Sequence, residues 1–375
     1  MTLADPAPTQ PSRPGAGWLM RLVASRRFQS IVSAVPGLRR IARADGEDLF
    51  DLVAGFVQSQ VLAAVVELRL LHRLMEDGPL DAAMLASGTG ISPVRMGNLC
   101  DAACALGLMA RRGDQYRVAR KGAALTGVPG LEGMIAHHSV FYRDMAEPLA
   151  VLRGEETELA RFWPYVFGAG AATDPATAQR YSDLMADSQV LVAEETLRLV
   201  DLSEARHVLD VGGGTGAFLT ALGQTHRKPH LHLFDLPAVV PAAEARFVNA
   251  GLGDRVQITP GSFRDQPLPE GADTVTLVRV LYDHSDDTVL ALLRAVHAAL
   301  PPGGRLIVSE PMTGGERPNR SGDVYFRFYC MAMATGTARS ALEISNLLQR
   351  AGFGGVRCPR SSRPFVTSVV TAARA

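Results

Sequence analysis

His207-Val208-Leu209-Asp210-Val211-Gly212-Gly213-Gly214-Thr215-Gly216 is the stretch that decides the fold. A run of β-prone apolar residues carries one acid, then passes directly into a glycine-rich turn. From Ala217 the pattern becomes helical. Glycines at a strand-to-helix turn let the backbone approach a ligand and expose amide donors at a helix N-terminus. A second acid, Asp235, closes the next apolar run in Leu233-Phe234-Asp235. A carboxylate there can accept both hydrogens of a ribose diol, so the pair is far more specific than a lone glycine run. The plainer alternative is an Asp that caps the Leu236-Pro237 turn. Further β-rich runs at 256–259, 274–280 and 305–309 alternate with helical segments. That alternation predicts βαβ units, hence an α/β domain with a parallel sheet. On spacing alone the ligand is either a dinucleotide or S-adenosylmethionine.

Outward from this core, the character changes before His207. A helical region covers 131–202. Before it, Leu52, Phe56, Ala63, Val66 and Leu70 recur at helical spacing, and Ser92-Pro93 reads as a helix start with Ser as N-cap. Gly113-Asp114 sits between strand-like pieces, as a hairpin turn does. Three helices and a hairpin suggest a winged-helix-like domain, a fold that often binds DNA through a basic third helix. Here that helix carries only Arg95 as a cation, and Asp101 as an acid. Burial in a dimer interface fits it better than nucleic acid, and a homodimer is expected. The expected organisation is a basic extension at 1–45, an all-helical, winged-helix-like dimerisation domain at 46–130, connecting helices at 131–202 over an acceptor pocket, and a ligand-binding domain at 203–375.

Composition bounds the rest. The 375 residues carry 38 basic and 38 acidic side chains, so formal net charge is zero and a general attraction to nucleic acid is not expected. Cysteines at 100, 104, 330 and 358 form no CxxC pair, which points away from structural zinc and disulfides and towards a reducing compartment. No metal site is expected. The 52–66 stretch is too short an apolar run to span a bilayer, and no signal-peptide pattern precedes it. The expected location is therefore the cytoplasm. Residues 6–44 hold seven arginines and no acid, interleaved with Trp18, Leu19, Leu22, Phe28 and Ile31. Two readings stand: a basic amphipathic helix over 13–43 lying on an anionic membrane, or a helix packed on its own domain or a partner subunit.

Asp210-Val-Gly-Gly-Gly-Thr-Gly216, with Pro301-Pro-Gly-Gly-Arg-Leu306 before the fifth strand, resembles the class I methyltransferases. Phe234-Asp-Leu-Pro237, Gly261-Ser-Phe263 and Arg279-Val-Leu-Tyr-Asp-His-Ser-Asp286 sharpen this to the small-molecule O-methyltransferases of the caffeate and acetylserotonin type. The resemblance covers nearly the whole chain, because those enzymes also carry an N-terminal dimerisation domain. It implies S-adenosylmethionine as cofactor, with Asp210, Gly212 and Gly214 in its loop and Gly212 lining the sulfonium. It puts Asp235 on the ribose, Ser262 and Phe263 at the adenine, Arg279 beside the cofactor, and Gln189 with Ser188 at the methionine end. The family usually has Asp where Ser262 stands.

Leu49–Gln60, His137–Arg143, Arg161–Phe167 and Tyr325–Met333 resemble the carotenoid branch of that family, the hydroxyneurosporene (demethylspheroidene) O-methyltransferases of purple photosynthetic bacteria. This implies methylation of the tertiary 1-hydroxyl of an acyclic carotenoid, a lipophilic acceptor drawn from the photosynthetic membrane. The family's usual base is the histidine of a His-Asp-Trp triplet, whereas this chain has Tyr282-Asp283-His284. If the fourth strand continues to His284, period-two alternation puts Tyr282 and His284 on one face. Tyr282 would then orient the acceptor, His284 would take its proton and Asp283 would orient His284; His137 or His138 is a spare base. The alternatives within the fold are a phenol or polyketide O-methyltransferase and a C-methyltransferase of bacteriochlorophyll synthesis. Outside it stand a DNA-binding regulator and a cofactor-binding scaffold without activity.

Overall fold

The computed structural model describes residues 14–162 and 189–375. The domain after residue 203 is built on a seven-stranded sheet. Its strands are β4 (His207–Val211), β5 (His230–Asp235), β6 (Val256–Pro260), β7 (Thr274–Val278), β8 (Arg305–Glu310), β9 (Phe353–Arg357) and β10 (Ser368–Arg374). Their order is β6-β5-β4-β7-β8-β10-β9, with β10 antiparallel to both β8 and β9 and the other pairs parallel. The register places Asp210 beside Leu233 and Thr276. Strands buried on both faces read as unbroken apolar runs, and β7 is buried at every position.

Each face has its own core. On one, α14 (Asp286–Ala299) and α16 (Ala341–Arg350) bring Val289, Leu293, Ile344 and Leu348 against Val275 and Leu277. On the other, the described part of α11 (189–199), α12 (Ala217–Thr225) and α13 (Val240–Asn249) bring Val192, Phe218, Leu219 and Phe247 against Val208 and Leu231. Each fully buried Leu, Val or Phe contributes about 1.5–3 kcal/mol of transfer free energy, so these layers dominate the stability. Helix α16 is further set by a capping box of Ser340 and Glu343.

The N-terminal region runs through α1 (Pro14–Val23), α2 (Arg26–Ala34), the 32-residue α3 (Pro36–Glu67) and α4 (Leu70–Glu76). It continues through β1 (Leu80–Asp81), α5 (Ala82–Ala86), α6 (Pro93–Ala105), β2 (Met109–Arg112), β3 (Gln115–Val118) and α7 (Arg120–Thr126). It is not wholly helical, since β1-β3-β2 form a small antiparallel sheet. The β2–β3 hairpin turns at Gly113, and Ser92 caps α6 by accepting the Arg95 amide, as the sequence predicts. Beyond it, α8 (Leu131–Met145), α9 (Pro148–Leu152) and α10 (Glu158–Phe162) pack on a π-helical turn (Arg320–Phe326) and α15 (Arg327–Met333).

One expectation changes here. The uninterrupted apolar run near the start is short, but α3 carries its apolar stripe over 39–67. This segment is long and apolar enough to cross a bilayer by length and composition, and only 11% of its most apolar window is buried. Exposed Phe50, Leu52, Val53 and Phe56 make that face.

Candidate active site

Strands β4, β5, β6 and β7 all present their C-terminal ends on one edge of the sheet, where open α/β sheets bind ligands. The glycine loop sits there. Gly212, Gly214 and Gly216 have φ of 70°, 60° and 76°, in the left-handed region that only glycine adopts freely. A Cβ on Gly213 would strike the Asp210 carboxylate, while one on Gly214 would stand in open space. The loop is thus pressed onto the sheet beneath Gly213 and open to a ligand at Gly214. Gly212 packs its α-carbon towards Val280, with 3.0 Å left for a Cβ.

Asp235 lies across this loop. Its Oδ2 accepts the Gly214 amide and its Oδ1 accepts the Leu236 amide, each at 2.6 Å. The turn-capping reading is therefore realised through Leu236. A carboxylate has about four acceptor sites, so two remain for a diol. Asp210 does not share that position. It is fully buried, accepts a hydrogen bond from Thr276 Oγ1 at 2.6 Å, and has Oδ2 unpartnered beneath Gly213. Burial pushes its carboxyl up to about 7. Asp210 is thus sealed beneath the loop, while Asp235 lies at its surface.

After β6, Phe263 packs on the sheet core and meets His284 edge-on, with ring centroids 5.3 Å apart. Ser262 Oγ accepts the Arg264 amide at 3.2 Å, so this hydroxyl closes its own turn. Gln189 is half-buried at the start of the described part of α11; Ser188 lies outside the described residues, as does most of the 162–167 aromatic segment.

The largest departure is at the end of β7. The strand stops at Val278, Arg279 takes φ 58°, and Leu281–Asp283 form a 3-10 turn. The cause is Glu310, the last residue of β8. Its Oε1 accepts the amides of Val280 and Leu281 at 2.8 and 2.7 Å, groups that a longer strand would have paired in the sheet. Period-two alternation therefore fails, and Tyr282 and His284 part company. Tyr282 is buried with Cys330, Ala338 and Phe326, and its hydroxyl accepts from Arg279 Nη2 at 3.2 Å. Burial raises its pKa further above the ordinary phenol value. His284 turns to Phe263 and Arg264, whose Nη2 donates to Nδ1 at 3.1 Å. Burial and the Arg264 and Arg339 charges push its pKa down to about 4. Nor does Asp283 orient His284: Glu310 and Arg279 are the charges that act on it, and its Oδ1 is buried without a partner.

Two positioning groups escape sequence reading. Arg339 donates to the carbonyls of Leu281 and His284, both at 2.8 Å, clamping the two ends of the turn. Gly336 lies so close to the Tyr282 carbonyl that a Cβ would collide with it. For Glu310 there was a signal, an acid closing a predicted strand next to the ligand edge; for Arg339 and Gly336 there was none.

Beside this turn lie the two histidines read as spare bases, each paired with a tyrosine of the 325–333 segment. His138 Nε2 is 2.7 Å from Tyr325 Oη, and His137 Nε2 is 3.1 Å from Tyr329 Oη.

Comparison with known proteins fits this geometry. The O-methyltransferase domain family matches residues 142–354, and the O-methyltransferase dimerisation domain matches 50–126. The demethylspheroidene O-methyltransferase of Cereibacter sphaeroides is 56% identical over 97% of each chain. That of Rhodobacter capsulatus is 52% identical over 98% of this chain and 92% of its own. Human N-acetylserotonin methyltransferase in complex with SAM superposes with a TM-score of 0.77 at 25% identity, covering 88% of this chain and 98% of the other. A glycine loop braced by a buried acid and a dimerisation domain ahead of it thus have one common source: the chain belongs to the O-methyltransferase family.

Proposed function

We propose that this chain transfers a methyl group from S-adenosylmethionine to the tertiary 1-hydroxyl of an acyclic carotenoid of the hydroxyneurosporene or demethylspheroidene type. The observation that carries this is identity of 56% and 52%, over nearly the full length, with two demethylspheroidene O-methyltransferases. The cofactor fits the residues present: open space at Gly214, two spare acceptor sites on Asp235, and Phe263 as an apolar wall. When bound, S-adenosylmethionine supplies an already electrophilic methyl group. Gly214 and Asp235 hold its ribose end, and Phe263 flanks its base. Arg279 and Tyr282 lie towards the acceptor, where Tyr282 orients the hydroxyl. Holding the reacting atoms in line can supply about 7–11 kcal/mol. The aromatic and methionine side chains of α15 and the π turn, with α8, offer an adaptable apolar wall for a polyene.

The protein acts as a homodimer through its dimerisation domain, and its basic N-terminal helices rest on the photosynthetic membrane. In support, α1 exposes Trp18, Leu19, Met20 and Leu22 beside Arg21, with Arg26 and Arg27 opening α2. Incubation with S-adenosylmethionine and detergent-dispersed 1-hydroxyneurosporene should add one methylene in mass, and Asp235→Ala should abolish it. Unmethylated carotenoid with the cofactor still bound would overturn the acceptor and turn the search to phenols and tetrapyrroles.

A further inference from the structure

The usual base of this family is absent at Tyr282, and the geometry disconnects His284 from it. Another pair is in place. His138, on α8, meets Tyr325, which lies in the π-helical turn, with 2.7 Å between Nε2 and Oη. π turns are rare and concentrate at functional sites. Tyr325 stacks on Tyr329 with centroids 5.8 Å apart, and Tyr329 is within electrostatic reach of Tyr282, Arg279 and Asp283. The His138–Tyr325 pair thus borders the Arg279–Tyr282 corner, and both of its side chains are only half-buried. With the ring hydrogen on Nδ1, the Tyr325 phenol donates to the unprotonated Nε2, the arrangement the relay uses. Burial lowers the pKa of His138, which keeps the imidazole neutral and able to take a proton.

We propose that Tyr325 and His138 are the proton-accepting pair for the acceptor hydroxyl. The hydroxyl proton passes to Tyr325 Oη as the proton of Tyr325 passes to His138 Nε2. The hydroxyl oxygen keeps the electron pair with which it bonds the methyl carbon. The positive charge lost from the methyl donor reappears on the imidazolium, which later yields its proton to water. This rests on the carotenoid reading only in needing an acceptor hydroxyl, a weakly acidic one that gains much from a base.

The test uses the full-length protein with His138→Gln and Tyr325→Phe. The first keeps an amide able to hydrogen-bond Tyr325 but cannot take a proton. With hydroxyneurosporene, each should lower kcat by about 10²–10⁴-fold. S-adenosylmethionine affinity, read by calorimetry, should be unchanged. Should Tyr325→Phe fail to fold, His138→Gln decides alone; a fall in kcat of less than tenfold overturns the proposal. A second readout needs no turnover. Nitrogen NMR of the ligand-free protein should show His138 protonated on Nδ1, with a Nε2 resonance that moves in Tyr325→Phe. A His138 protonated on Nε2, or one indifferent to Tyr325→Phe, overturns the pair even if wild-type protein methylates no carotenoid. That last failure by itself removes the acceptor reading and leaves the pair to the NMR result.

Discussion

Asp235 and Glu310 use the same chemistry to different ends. Asp235 ties the glycine loop to the second strand and keeps acceptor sites open. Glu310 spends its Oε1 on two backbone amides and thereby bends the chain at the acceptor end. Burial pushes the Glu310 carboxyl up to about 7. Glu310→Ala would orphan two buried amides and should cost about 2–4 kcal/mol, read as a lower urea midpoint. Glu310→Gln keeps an acceptor oxygen and should cost far less. His232 is a second residue whose environment is measurable. It is buried, bonded through Nε2 to Thr259 at 2.8 Å, and its pKa is pushed down to about 4 by burial and by His207. The unfolded chain takes up this proton as pH falls through about 6.5, and the folded chain resists until about 4. Stability is therefore lost on acidification within that window, at up to about 1.4 kcal/mol per pH unit for one proton. His232→Gln should reduce the slope by that one proton's share, leaving the share of other buried histidines such as His284. Urea midpoints at pH 7 and 5 that fall in parallel for both proteins would show the assignment to be wrong.

At the scale of elements, the 3-10 turn at Leu281–Asp283 is the part of the site the fold builds most heavily. Glu310 takes its entering amides, Arg339 takes its carbonyls, and Gly336 presses on the Tyr282 carbonyl. The clamps come from β8 and from the α15–α16 connection, so the turn records how β7, β8 and that connection meet. Gly336→Ala should push Tyr282 off its seat. It should lower kcat by about tenfold or more, because small misplacements near reacting groups are costly. Binding of S-adenosylmethionine, held by the glycine loop and Asp235, should be nearly unaffected; equal losses in both would refute the division of labour. The strands themselves were legible because central parallel strands are short runs rich in apolar and β-branched residues. The turn was not, since local alternation cannot see an acid arriving from the neighbouring strand.

For the whole molecule, the open question is what covers the exposed stripe of α3. Phe50, Val53 and Phe56 are each about 70% exposed in the protomer, in a segment that begins the dimerisation domain. A charge there costs the protomer little, since exposed substitutions usually move stability by less than about 0.5 kcal/mol. Val53→Glu with Phe56→Glu should therefore yield a folded monomer by light scattering; a persistent dimer would place the partner on another face. The basic helices ahead of it make a separate prediction. Removing residues 1–44 should abolish binding to anionic liposomes at low salt while leaving the dimer intact, and unchanged binding would remove the membrane from the account.

The sequence by itself determined the α/β sheet, the glycine loop, the paired acids Asp210 and Asp235, and the helical domain ahead of them. Those features are written in local patterns: apolar runs, glycine punctuation, caps and turn residues. Tertiary structure alone decided which acid is sealed beneath the glycine loop, where β7 ends, and that Tyr282 and His284 go separate ways. It also joined His138 to Tyr325 across 187 residues. These outcomes depend on hydrogen-bond partners supplied from distant segments, and a buried backbone amide or imidazole takes whichever partner the packing brings within reach.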